Sequence, residues 1–509
     1  MTETALTTGA GPGARGASNP EDAHPEQHDA RRWLILAVIG LAQLMIVLDV
    51  SIVNIALPDA QKALAFSNAD RQWIVTAYSL SFGGLLLFGG RLADLVGRKQ
   101  IFIAGLVVFA AASLLGGISP NFGVLVTARA IQGVAGALLA PAALSLLTTT
   151  FTDAKERAKA FAVFGAIAGS GAAIGLLLGG VLTQYLDWRW TLFINVALAA
   201  LALPGAFFLL RATRLPDRPS LDMPGTLLVS AGLFCVVYGF SNASEHGWRT
   251  GMTLGMLIGG AVLLVAFCVW QTRTEHPLLP LRIVLDRDRG GSFLAVFITG
   301  VGMFGVFLFL TYYLQTTLLY TPVKTGLAFL PMVGALMVAA TSATTMLLPR
   351  IGPKWLVGPG MLAAAGGMAW LTTISLTSTY VANILGPLLV MGVGLGLVFA
   401  PAMNSATFGV EPRDAGVASA TVNTMQQVGG SIGTALLNTL ASSAFAAYLV
   451  SHTQGPKQLL QASAGVHSYV VAFWWSAAIF AAGAVACFLI LRPGVQTPDP
   501  EAGPVVHMG

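Results

Sequence analysis

The run from Trp33 to Pro58, WLILAVIGLAQLMIVLDVSIVNIALP, constrains this chain more than any other stretch. It is apolar over the length of a lipid hydrocarbon core and holds a single charge, Asp49. A helix of about 25 residues rises about 37 Å, enough to cross a core of about 30 Å with some tilt. A carboxylate near the middle of such a helix costs roughly 2.5 to 3.5 kcal/mol on insertion scales, so it calls for a partner, a watery cavity or a task. Asp49 is therefore the first functional candidate.

The rest of the chain has the same character. Of 509 residues 55% are hydrophobic and 10% charged. A soluble globule carries about 25% charged residues, so the composition specifies a polytopic membrane protein. Apolar runs predict spans near 33–57, 73–90, 101–119, 122–150, 158–182 and 191–210, then 222–242 and 251–271, then 291–315, 325–348, 355–375, 380–403, 415–447 and 468–491. The expected architecture is all-α: a flexible tail (1–32), a six-helix bundle (33–210), a linker with two extra transmembrane helices (211–290), a second six-helix bundle (291–492) and a tail (493–509), with 14 transmembrane helices in all. An even count puts both termini on one side. With that side cytoplasmic, 20 of the 27 Lys and Arg residues fall there, 6 fall opposite, and Arg129 remains inside a span. This asymmetry orients the chain in the membrane, with the plasma membrane as its expected site. The net charge of +5 then serves topology, so no nucleic-acid partner is expected.

Other classes find little support. The three cysteines, Cys235, Cys268 and Cys487, lie in apolar runs, and all seven histidines lie in tails or loops. No metal-ligand set, cofactor motif or HExxH constellation is present, so neither an enzyme nor a metal site is expected. One acid and one arginine do not form the ring of a selective channel.

An internal repeat divides the chain. GALLAPA at Gly136–Ala142 returns as GLVFAPA at Gly396–Ala402, and LADLVGRK at Leu92–Lys99 has a weaker echo in LLPRIGPK at Leu347–Lys354. Both copies share one orientation, which implies two parallel halves related by an axis along the membrane normal. Asp49 lies eight residues from the outer end of its span at Leu57, and Arg129 lies seven from Phe122. Both are thus about 11 to 12 Å deep. At matched depth the two can form a structural ion pair or a proton site, in which alternation between wet and dry surroundings lets the acid take up and release a proton.

On these residues the chain, from about Trp33 to Arg492, resembles the major facilitator superfamily and, more narrowly, its fourteen-span drug/proton antiporter group. LDVSIVNIALP (Leu48–Pro58) is similar to the first-helix signature, GRLADLVGRK (Gly90–Lys99) to the loop motif and ARAIQGVAGALLAPA (Ala128–Ala142) to the fourth-helix motif. WRWTLFINV (Trp188–Val196) and the stretch from Glu411 to Ala435 are also typical. The resemblance implies proton coupling through Asp49 and Arg129, and a conformational gate formed by Gly90, Arg91, Asp94, Gly97, Arg98 and Lys99. It also implies an antiporter helix with the small-residue face Gly165, Gly169, Gly171, Gly175, Gly179 and Gly180. Two departures stand out: Leu176 where that helix normally has proline, and Ala197 where proline often follows INV. Without proline any bend there rests on glycine.

For the substrate cavity the candidates are Gln132, Tyr312, Gln315, Asn423, Gln426 and Gln427; the last three share one helical face at i, i+3, i+4. Such a set suits a bulky amphipathic molecule, neutral or singly charged. The expectation is a proton-coupled antiporter that exports a drug or antibiotic by alternating access, with protons, lipid and a small molecule as its partners, a monomer sufficing and the proton gradient as energy source. The alternative is a facilitator of another small solute, uptake included.

Overall fold

The computed structural model describes residues 25–67, 70–151, 154–210, 222–275, 277–410 and 415–495. Among them all regular structure is helical. The first half comprises α1 (Pro25–Leu64), α2 (Gln72–Val96), α3 (Arg98–Gly117), α4 (Phe122–Thr150), α5 (Ala154–Tyr185) and α6 (Trp190–Leu209). Then come α7 (Met223–His246), α8 (Gly251–Gln271) and the short α9 (Leu281–Leu285). The second half comprises α10 (Arg287–Tyr312), α11 (Pro322–Ser342), α12 (Leu348–Ile351), α13 (Lys354–Leu371), α14 (Gly386–Thr407), α15 (Ala415–Ser451) and α16 (Lys457–Ile490). π-Helical turns extend α10 at Tyr313–Thr317, join α11 to α12 at Ala343–Leu347 and precede α14 at Tyr380–Leu385.

Among the described residues eleven helices are long and apolar enough to cross a membrane. Helices α2, α5 and α13 occupy the places of the other three expected spans. Helix α1 begins at Pro25, inside the stretch expected as tail.

The repeat read from sequence has a structural counterpart. Pro141 and Pro401 lie inside α4 and α14, and the turns after α2 and α12 both rest on glycine at positive φ, Gly97 at 118° and Gly352 at 75°. Only glycine adopts such angles without strain. The end of the bundle that carries these turns, with Lys99 and Lys354, is called the basic end below; the opposite end is the far end.

Within each half small residues bring helices together, as membrane packing requires where water supplies no driving force. A Cβ on Gly133 of α4 would stand 2.3 Å from the Tyr78 carbonyl oxygen of α2, and one on Gly105 of α3 would stand 2.7 Å from Leu139 of α4. Between the halves the core is unevenly shared. At the far end Ile52, Ala56, Ile74, Leu125 and Leu176 belong to the same apolar cluster as Val306, Phe329 and Leu437. A second cluster, reaching to the basic end, has buried members from the first half alone, among them Ile39, Phe102, Ala142 and Phe151. The halves share buried core at the far end, whereas the second cluster takes only the partly buried Ala420 of α15 from the second half.

The two extra helices lie along the seam. Leu233 and Val237 of α7 pack with Leu80 of α2 and with Val428 and Ala435 of α15, so α7 touches both halves. Ser230 Oγ donates to the Gly84 carbonyl (3.1 Å), and Thr439 Oγ1 donates to that of Phe240 (2.7 Å). At the basic end Asp222 caps α7 and is 7% exposed. It accepts from Gly225 N (2.8 Å), Trp270 Nε1 (2.8 Å), Gln271 Nε2 (2.6 Å) and Leu278 N (3.4 Å). Burial alone would raise its pKa, but these donors outweigh it and hold the carboxyl below its ordinary 3.8.

Two outcomes follow from this packing. Gly133→Ala forces α2 off α4 and costs about 1–3 kcal/mol, read as a lower unfolding temperature in detergent. Asp222→Ala costs about 2–3 kcal/mol. Because the folded pKa is depressed, the Asp222 contribution is complete above its unfolded value and lost as pH falls through the folded one. The parent-to-variant difference in unfolding temperature should therefore shrink below about pH 4.

Candidate functional site

Five helices converge on one buried polar knot. Helix α1 brings Asp49, α4 brings Arg129 and Gln132, and α6 brings Asn195; α3 supplies Ser113 and α2 supplies Tyr78 and the Ile74 carbonyl. The matched depths read from sequence place the acid and the base in direct contact: Arg129 Nη1 donates to Asp49 Oδ2 at 2.5 Å. Asp49 Oδ1 accepts from Asn195 Nδ2 (2.7 Å) and Gln132 Nε2 (3.1 Å). Arg129 also donates to Gln132 Oε1 (2.9 Å) and through Nε to the Ile74 carbonyl (3.0 Å), while its guanidinium lies 4.4 Å from the Tyr78 ring centroid. Gln132 Nε2 donates in addition to Ser113 Oγ (2.7 Å).

Asp49 is 0% exposed and Arg129 2%. Next to Arg129 toward the far end is a cavity of about 10 Å³, lined by Val53, Leu57, Leu125 and Trp188 among others. That is room for roughly one water. Neither charge can be left alone here without a penalty of several kcal/mol, so any change in the protonation or pairing of Asp49 obliges its neighbours to rearrange.

The expected gate loop is partly engaged elsewhere. Gly97 forms the turn between α2 and α3. Lys99 Nζ donates to the carbonyls of Phe207 and Leu210 at the end of α6, both at 2.7 Å, where a cation meets the negative pole of a helix. Arg91 Nη2 donates to the Pro277 carbonyl (3.2 Å) in the segment after α8, the one that Asp222 fastens through Leu278. Gly90 faces Pro141, and Arg98 opens α3. The side chain of Asp94 lies outside the described residues.

The glycine helix seats α5 on the helix that carries Asp49. A Cβ on Gly171 would press on Val47, one on Gly175 on Ser51, and one on Gly179 on the Ile52 carbonyl. Gly180 faces Pro322 and Val323 of the second half, and the Leu176 carbonyl faces Gly326. Leu176 is fully buried at this junction, so the residue that stands in place of proline packs between the halves. The surroundings of Gly165 and Gly169 lie outside the described residues.

The six cavity candidates are not gathered in one place. Gln132 is part of the ionic knot. Tyr312 and Gln315 join the halves at the far end: Tyr312 Oη donates to Gln61 Oε1 (2.6 Å) and Gln315 Nε2 to the Ile55 carbonyl (3.1 Å). Gln427 is buried where α15 meets Gly83 of α2, while Asn423 and Gln426 are half-buried.

Three residues that the structure places in these contacts are not singled out by the sequence. Asn195 lay within the quoted WRWTLFINV stretch, but an asparagine in a span gives no hint of which helix it faces. Tyr78 is an aromatic among many. Arg71 is one of the six basic residues expected on the outer side, yet it is 5% exposed, donates to Asn438 Oδ1 (3.2 Å) and lies 4.3 Å from the Tyr312 ring centroid, bridging the halves at the far end.

Comparison with known proteins follows the same line. A family model described as Major Facilitator Superfamily matches residues 39–434. The chain is 47% identical to the puromycin resistance protein of Streptomyces alboniger over 481 residues, covering 94% of this chain and 95% of that one. It is 38% identical to the cephamycin export protein of Amycolatopsis lactamdurans over 414 residues, covering 80% and 85%. In fold it is similar to the crystal structure of a bacterial homologue of the human lysosomal transporter Spinster, with a TM-score of 0.64 at 15% identity over 90% of this chain and 97% of that one.

The pairing has a measurable signature. Arg129→Gln leaves a buried carboxylate without its cation and costs about 3–5 kcal/mol, whereas Asp49→Asn with Arg129→Gln together costs much less than the sum of the two single changes. Thermal unfolding of the four proteins in detergent gives the coupling; additivity would exclude the ion pair.

Proposed function

We infer that this chain, which belongs to the Major Facilitator Superfamily, is a transporter that exports bulky amphipathic drugs or antibiotics in exchange for protons. The observation that carries the reading is the Asp49–Arg129 pair, buried beside a one-water cavity, within halves that share their buried core at the far end. The names of the relatives, one a puromycin resistance protein and one a cephamycin export protein, support a small organic substrate leaving the cell.

In this reading the basic end faces the cytoplasm, both termini lie there, and the membrane is the plasma membrane. Substrate enters between the halves from the cytoplasm or inner leaflet. The far end then opens, substrate leaves, and a proton from outside reaches Asp49 through the region of the small cavity. Protonation loosens its hold on Arg129, Gln132 and Asn195 and permits the return. One charge moved through 100 mV supplies about 2.3 kcal/mol, which sustains roughly a 50-fold gradient of cargo. One copy contains all of these parts, so a monomer suffices.

Cells that make the protein should tolerate more puromycin, or accumulate less ethidium as a second probe, and an uncoupler should erase the difference. In proteoliposomes Asp49→Asn should insert normally and lose at least tenfold in transport driven by a pH gradient. Transport by the Asn variant equal to the parent's would remove the coupling role. Probe movement in the same direction as the proton would instead favour uptake of another solute.

A further inference from the structure

The three groups bonded to Asp49 are all donors, which is the arrangement of an ionised carboxylate. Once a proton arrives, Asp49 carries an O–H that needs an acceptor within the same dry knot, because a buried donor left unpaired is costly. Most acceptors there are already taken. Gln132 Oε1 accepts from Arg129, Ser113 Oγ from Gln132, and the Ile74 carbonyl from Arg129. Gln132 cannot turn its amide over without dropping both Arg129 and Ser113. The Tyr78 hydroxyl lacks a partner, but it is turned toward Gly136, two helical turns from Arg129.

Asn195 is different. Its side chain is 0% exposed, its Nδ2 is held by Asp49, and its Oδ1 is buried with no hydrogen-bond partner. Turning this amide over by half a rotation breaks no other hydrogen bond of the side chain and brings the idle oxygen onto Asp49. The orphaned oxygen is exchanged for an orphaned N–H, so the amide itself is about as well satisfied in either orientation.

We propose that Asn195 is a positioning residue for proton coupling, donating to Asp49 when it is ionised and turning over to accept from it when it is protonated. This rests on the proton-coupled reading above. The reorientation changes how strongly the knot ties α6 to α1: by a charge-assisted bond in one state and by an ordinary one in the other. Besides Arg129 from α4 and Tyr78 from α2, the groups meeting the acid are neutral: Ser113 of α3 through Gln132, the glycines of α5 that seat on α1, and Asn195 of α6. The charged pair Asp59 and Lys62 of α1 is at the far end, partly or well exposed.

The test uses the full chain in liposomes, with the parent, Asp49→Asn, Asn195→Leu, Asn195→Ala and Asn195→Ser compared by infrared difference spectroscopy across pH and by pH profiles of ethidium transport. The parent should show a carboxyl C=O band that appears at low pH and is absent in Asp49→Asn, accompanied by an amide band that shifts when asparagine is isotopically labelled. In Asn195→Leu and Asn195→Ala the carboxyl band should move to that of an O–H without an acceptor. Removing Asn195 takes a charge-assisted bond from one state and an ordinary bond from the other, so the pH of half-maximal transport should move up by about one unit. Serine, both donor and acceptor but one atom shorter, should move the profile less than either apolar variant does. Should either apolar variant fail to fold, the other and the labelled-asparagine shift in the parent still decide. If Asp49→Asn leaves the carboxyl band and the pH dependence unchanged, the proton reading itself fails. If both depend on Asp49 while the apolar variants match the parent, the role of Asn195 alone is overturned.

Discussion

The contact between Asp49 and Arg129 sets the terms for everything around it. A carboxylate in the middle of a bilayer is tolerable only where its charge is met and its lone pairs are filled. This structure meets both needs by spending side chains from several helices on one acid. That requirement dictates local packing: α2 must approach α4 closely enough for the Ile74 carbonyl and the Tyr78 ring to reach Arg129, and Gly133 permits the approach. It also requires α5 to seat without crowding α1, which Gly171, Gly175 and Gly179 permit directly beside the acid.

Much of this was legible from the chain because membranes restrict the options. With hydrocarbon outside, spans must be helices of a given length, and a lone charge announces itself. Asp49 and Arg129 could thus be matched by counting residues from the span ends. The parallel repeat was visible in GALLAPA and GLVFAPA, and the glycines at the basic-end turns give it a backbone reason.

What stayed hidden depends on which way a helix is rotated. Asn195, Tyr312 and Gln315 are polar residues in spans, and sequence leaves open whether each faces a cavity, a neighbouring helix or the opposite half. In the structure Tyr312 and Gln315 join the halves at the far end, and Asn195 belongs to the ionic knot. Arg71 illustrates the converse, since a charge near a span end reads as solvated, whereas rings and an amide from the second half enclose it. The extra helices could be counted but not placed; only packing shows that α7 lies over the seam where α2 meets α15.

Helix α1 links the knot to these far-end contacts. Asp49, the Ile55 carbonyl that receives Gln315, and Gln61 that receives Tyr312 are on one continuous helix, about 9 Å and 18 Å apart along its axis. Helix α5 is locked to it beside the acid and meets α11 of the second half at Gly180 and Gly326. A displacement of α1 at Asp49 therefore cannot stay local, since it strains two direct hydrogen bonds between the halves and shifts the helix that forms the third contact. The packing along α1 and α5 is too close for the movement to be absorbed gradually, because backbone and side-chain atoms already fill the space where any larger residue would sit. The far-end contacts between the halves and the surroundings of the acid thus share one helix, and glycine lets α5 pack directly against it.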